Sequence, residues 1–180
     1  MKPILLSVLL LLLAPFALCL QVGEARAQPS AEAKLAFDQG KALYEKGSFA
    51  AALPLLEKAV SLTDSPNARL MVGRCLKDLG RRAEAYAVLA RAMRDATQLA
   101  DTDPKYKPTR DAAASLLAIL EPEIAKLIVV LPDGLRGAPV KLDGRLLAAE
   151  EVGRAIAVEP GSVMLVAEPE GQATIERRLG

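Results

Sequence analysis

The chain has 180 residues, with 23 lysines and arginines against 22 aspartates and glutamates, and no histidine. That near-neutral balance gives no argument for nucleic acid or an anionic membrane surface. The missing histidines remove the commonest general base and the commonest zinc ligand. Tryptophan is absent, and alanine and leucine carry the apolar share, which suits close-packed helices.

Met1-Lys2, the apolar run Ile4 to Leu20, and Ala25-Arg26-Ala27 follow one another in the order of a secretory signal peptide. Small residues stand at both positions that a signal peptidase reads. Cleavage after Ala27 is expected, which makes the mature protein periplasmic or secreted. The alternative is an uncleaved segment anchored in the inner membrane, because the apolar run approaches the length of a span. Leu18 before Cys19 argues against a lipoprotein. The mature chain then keeps one cysteine, Cys75. A lone thiol makes no internal disulfide and is a poor start for a metal site.

After a polar lead-in, the sequence repeats itself to about Ala100. Gly40 is matched by Gly73, Leu43 by Leu76, Gly47 by Gly80, Ala52 by Ala85, Leu56 by Leu89 and Ala59 by Ala92, each pair 33 residues apart. A period in this range marks stacked helical repeats. Gly40 and Gly73 fall inside apolar-periodic stretches, where glycine costs helix stability unless something needs the space. Gly47-Ser48 and Gly80-Arg81 sit where a first helix stops. Leu43, Phe49, Leu56 and Leu62 are expected to fill the first seam, and Val72, Leu76, Leu89 and Met93 the second.

The series Gly40-Gly47-Ala52-Ala59 and Gly73-Gly80-Ala85-Ala92 resembles the tetratricopeptide repeat, over about residues 33–96. The resemblance implies two helical hairpins within 28–100 and a groove lined by the first helix of each pair. There are departures. Ala36 and Arg69 stand where the family has a large aromatic, and Arg82 where an aromatic follows the turn. The proline that ends a unit is displaced to Pro66. Pro54 falls near the start of a second helix, where only the first turn tolerates it.

Residues 101–108, with Pro104 and Pro108, read as a linker. Thr109 is then the expected N-cap of a helix with the stripe Ala113, Leu116, Leu117 and Leu120. This helix would lid the last repeat, since terminal units need a solvated outer side. Linker and lid make up 101–125, and Pro122 breaks or restarts the helix.

From 126 to 180 the period becomes that of strands. Leu127–Leu131, Val140–Leu142, Ile156–Val158, Val163–Ala167 and Gln172–Arg178 are five short runs, separated by Pro132-Asp133-Gly134, Asp143-Gly144 and Glu159-Pro160-Gly161. They predict a small antiparallel β-sandwich. Pro132-Asp133-Gly134-Leu135, Val140-Lys141-Leu142-Asp143-Gly144 and Glu159-Pro160-Gly161 are similar to the PEGA domain family. Leu135 replaces that family's Ala. The order of signal peptide, helical repeats and β-module resembles bacterial envelope proteins. The fold class is therefore an α+β multidomain chain.

No nucleophile motif, calcium loop or phosphate loop occurs. Asp133, Asp143, Glu150, Glu151, Glu168 and Glu170 lie in turns and connections and read as solvated surface. Cys75 reads as a small buried apolar residue. No catalytic residue, metal or cofactor is expected. Lys41 and Arg74 are repeat-equivalent, as are Tyr44 and Lys77. Stacking would place the four on one surface near Phe37 and Leu70, able to hold the carboxylate end or an acidic stretch of an extended peptide. Glu45 and Asp78 would cancel part of that charge. The expected function is a non-catalytic protein-interaction module or scaffold of the periplasm or cell envelope, with the β-module as a second contact to an envelope component. The alternative is an accessory subunit of an envelope enzyme or transport complex, its core completed on assembly. Neither nucleic acid nor a stable membrane span after cleavage is expected.

Overall fold

The computed structural model describes residues 28–180, so the signal-peptide expectation for 1–27 lies outside the described residues. Five helices come first: α1 (Gln28–Glu45), α2 (Phe49–Thr63), α3 (Pro66–Asp78), α4 (Arg82–Ala100) and α5 (Lys107–Leu120). Six strands follow: β1 (Ala125–Ile128), β2 (Val140–Leu142), β3 (Arg145–Leu146), β4 (Ala155–Val158), β5 (Val163–Ala167) and β6 (Ile175–Leu179). Among the described residues, no helix is long and apolar enough to cross a membrane.

The two hairpins end their first helices identically. Gly47 and Gly80 have φ of 74° and 78°. The Ser48 amide donates to the Leu43 carbonyl at 2.9 Å, and the Arg81 amide to the Leu76 carbonyl at 2.9 Å. This six-to-one closure requires a left-handed residue that glycine supplies without strain. It reverses the chain, and α1 packs on α2 as α3 packs on α4.

Gly40 and Gly73 have a second role. A Cβ built on Gly40 would lie 2.7 Å from Leu56 Cγ, and one on Gly73 would lie 2.5 Å from Leu89 Cγ. Each leucine drops into the groove its glycine leaves and is fully buried, as are Ala52 and Ala85. Leu43, Phe49, Leu62 and Met93 are half-buried at the margins of these seams, while Val72 and Leu76 are buried.

Arg69, where the repeat family has an aromatic, is buried at 3 % exposure. Its guanidinium donates to the Asp64 carbonyl at 2.9 Å and to Asp95 Oδ2 at 2.5 Å, and also pairs with the Asp64 carboxylate. It thereby ties the end of α2 and the start of α3 to α4. The aromatic's volume is replaced by a charge that is fully partnered, the condition for burying one. Pro54 lies in the second turn of α2, not the first. The carbonyl it leaves without an in-helix donor belongs to Ala50, an exposed residue that water reaches.

The helix α5 lids α3 and α4 with Ala113, Leu117 and Leu120, and Leu116 is half-buried beside them. Its N-cap is Tyr106, and one short 3-10 turn, Pro104–Tyr106, places the start at Lys107. Thr109 is thus inside the helix, buried, and its hydroxyl donates to Asn67 Oδ1 on α3 rather than capping.

The β-module has two antiparallel sheets, β1-β4 and β3-β2-β5-β6, closing on one core of Val129, Val140, Leu142, Leu147, Ile156, Val158, Val163 and Ala167. The sequence lacks an obvious signal for β3. Asp143 and Gly144, at φ 48° and 84°, form the two-residue turn that creates it from Arg145 and Leu146. The first strand ends at Ile128, earlier than expected, and the last begins at Ile175, later than expected.

The two modules touch. α4 packs against β4, and Glu159 Oε1, in the turn after β4, accepts from the Ala83 amide at 2.8 Å. Arg82 donates to Glu123 at 2.8 Å, and Glu121 accepts from both Tyr86 and Lys126.

Candidate functional site

Tyr44 closes the last turn of α1, and Lys77 and Asp78 close the last turn of α3. The parallel stacking of the two first helices brings these ends together across 34 residues of sequence. Tyr44 Oη donates to Asp78 Oδ2 at 2.7 Å, and Lys77 Nζ donates to Asp78 Oδ1 at 2.5 Å. The Tyr44 ring is held from below by Phe49, with centroids 5.2 Å apart and planes at 52°. Burial, then the hydrogen bond to Asp78, push the Tyr44 phenol up to about 12. Burial also pulls Asp78 upward, but hydrogen bonds from Lys77 and Tyr44 and the charges of Lys77 and Arg74 outweigh it. The carboxyl is held below its ordinary range. Tyr44 is therefore a neutral donor and Asp78 an anion at neutral pH.

Arg74 stands one turn before Asp78 and is half-buried. Its Nη1 lies 3.7 Å from Met71 Sδ, and no carboxylate of the described residues comes within 4.0 Å of it. Tyr44 and Lys77 thus hold one carboxylate directly, and Arg74 acts on it only through its charge at longer range. Lys41 is set apart, paired with Glu45 one turn further along α1 at 3.7 Å. Three cations against two carboxylates, Glu45 and Asp78, leave the face one positive charge in excess.

Phe37 is half-buried and lines a shallow cavity of about 310 Å³ with Ala33, Ala59, Thr63, Ser65, Asn67 and Ala68. Leu70 does not wall this face, because it turns into the helical core. Sequence spacing singled out Arg74 and Lys77 as ligand cations but treated Asp78 only as a charge to subtract. The structure makes it the hub. Its signal was the i, i+1 placement beside Lys77 at a helix end, which says nothing of Tyr44 until the helices stack.

Cys75 is fully enclosed, and burial pushes its thiol up to about 11, so it is un-ionised and inert at neutral pH. The acids that read as surface are largely committed: Asp133 to Arg136, Glu151 to Arg145, Glu168 to Lys141, and Asp143 to the Met164 amide. Among the described residues, no group of three metal-ligating side chains occurs.

No curated protein and no solved structure matches this chain. Residues 43–120, from the last turn of α1 through α5, match the tetratricopeptide repeat family model, and the helical hairpins fit that repeat. Tetratricopeptide repeats are generally protein–protein interaction modules and typically non-catalytic.

Proposed function

We propose that the protein is an exported, non-catalytic interaction module whose α1–α3 face holds an acidic or C-terminal segment of a protein partner in the periplasm or cell envelope. The observation that carries this reading is the cation-rich patch in which Tyr44 and Lys77 hold Asp78 while neighbouring Arg74 lacks an acidic partner among the described residues. A guanidinium with open donor sites, beside a phenol and an ammonium, suits a carboxylate. The β-module, with its PEGA-like turn motifs, would supply a second contact. The leader motif supports export with cleavage after Ala27.

The test is capture from an envelope extract, followed by binding of the captured partner to the parent and to Arg74→Glu with Lys77→Glu. Exposed charges are individually weak and screened. Their joint reversal is expected to weaken association strongly at low salt and little at high salt, with the fold unchanged by circular dichroism. Equal affinity of parent and variant at low salt would place the contact elsewhere.

A further inference from the structure

The strand β6 lies at the end of the β3-β2-β5-β6 sheet, and β5 is its one extensive neighbour. Its register with β5 sets Leu179 beside Val163, Arg177 beside Leu165 and Ile175 beside Ala167. Neighbours in register share a face, so Ile175, Arg177 and Leu179 lie on the side that faces the core. The opposing sheet has two strands against four and does not cover β6. Val163 and Ala167 are buried, yet four of the five β6 residues are exposed, Ile175 by 42 %. Both the backbone edge and the inner face of this strand are open. Glu168 pairs with Lys141, but no acid comes within 4.0 Å of Arg177 or Arg178 among the described residues.

We infer that this edge accepts one further strand, an extended segment of a partner protein with aliphatic side chains facing Ile175 and Leu179 and acidic ones facing Arg177 and Arg178. An open edge supplies the ladder hydrogen bonds, and alternate side chains supply the selection. A second copy of this chain is the natural rival, and it complements the charges of the edge less fully than an acidic segment does. Antiparallel self-pairing about a two-fold centred on Arg177 sets Glu176 opposite Arg178 twice but leaves Arg177 opposite Arg177, while centring on Glu176 opposes Glu to Glu and centring on Arg178 opposes Arg to Arg. In-register parallel pairing stacks every like charge. Like charges directly opposite destabilise a ladder. Each of these symmetric self-pairings thus keeps at least one like-charge pair, whereas an acidic strand opposes both arginines with none. It lies in the β-module and does not depend on the α1–α3 reading.

The probe is a capped heptapeptide, Thr-Val-Asp-Glu-Thr-Val-Thr, which sets its two valines and two acids against those four positions in antiparallel register. It is titrated to millimolar concentration into the isotope-labelled protein and followed by amide chemical shifts. The amides of 175–179 are expected to move, and those around Tyr44 and Lys77 to stay. Arg177→Glu with Arg178→Glu should weaken the peptide about tenfold. A peptide with two lysines in place of the acids should bind the variant better than the parent. Proline at the central position should abolish binding. The proposal is overturned by still amides at 175–179, by affinity indifferent to the charge reversal, by equal binding of the proline peptide, or by concentration-dependent self-association through β6 in the free protein.

Discussion

A glycine inside a helix is usually a cost, and here the structure shows what it is exchanged for. Leu89 Cγ and Cδ2 would stand 2.5 and 2.6 Å from a Cβ at position 73. The atom met first is the branch carbon of a fully buried side chain, which has little room to retreat. Gly73→Ala gains about 1 kcal/mol of helix propensity but should lose ~1–3 kcal/mol to overpacking. A net fall in stability is expected in denaturant titration. Leu89→Ala alone should cost ~2–5 kcal/mol through its cavity. Adding Gly73→Ala to it should be neutral or stabilising, because the clash partner is gone. If both glycine substitutions raise stability, the glycine–leucine contact is not tight. The same scale explains Arg69: the sequence shows a departure from an aromatic, and only the position of Asp64 and Asp95 turns that departure into a staple.

At the scale of elements, α4 has an unusual beginning. Its N-cap residue is Arg81, which makes no side-chain cap bond. The acceptor for the Ala83 amide comes instead from Glu159, 76 residues away in the β-module. A carboxylate there also meets the positive end of the helix dipole. Glu159→Ala should cost about 0.5–1 kcal/mol, the lower part of the range for lost caps because the group is exposed. Hydrogen exchange at the Ala83 amide should quicken, with Glu159→Gln intermediate because it retains an acceptor. Unchanged exchange in Glu159→Ala would mean that the modules do not share this bond in solution. The β-module teaches a related lesson. Asp143-Gly144 was readable as a hairpin turn, but its second arm, Arg145-Leu146, is two residues long and polar at one of them. No alternation test detects so short a strand, which exists because β2 is there to pair with it.

At the scale of the whole molecule, two connections matter, one between α4 and α5 and one between α5 and β1. Around 101–103 the chain is exposed and held by little beyond local turns from Leu99. Around 121–124 it is exposed too, but Glu121 and Glu123 are engaged by Tyr86, Lys126 and Arg82. Limited proteolysis should therefore cut first at 101–103, as protease needs several residues of freely unfolding backbone. Mass mapping of the first fragments checks this. A first cut within 40–95 would argue against a packed repeat array.

The sequence by itself determined the periodic parts: two hairpins, their glycine-closed turns, a lidding helix, and a β-module after it. Steric rules and burial periodicity are local, so a 33-residue repeat and a run of Asp-Gly and Pro-Gly turns express them directly. The sequence misplaced the start of α5, expecting Thr109 as a cap, because capping preference cannot tell a hydroxyl that caps from one that bonds to Asn67 across a seam. It proposed Lys41, Tyr44, Arg74 and Lys77 as equivalents by spacing. Only the tertiary structure decided that Lys41 pairs with Glu45 while Tyr44 and Lys77 meet on Asp78 and Arg74 stands free of any carboxylate among the described residues. It alone also showed that Glu159 caps α4 and that β6 is left uncovered by a smaller opposing sheet. Apart from the local Lys41–Glu45 and Lys77–Asp78 pairs, those facts join groups far apart in the chain, and a contact between distant residues follows from how elements pack, not from the order in which they are written.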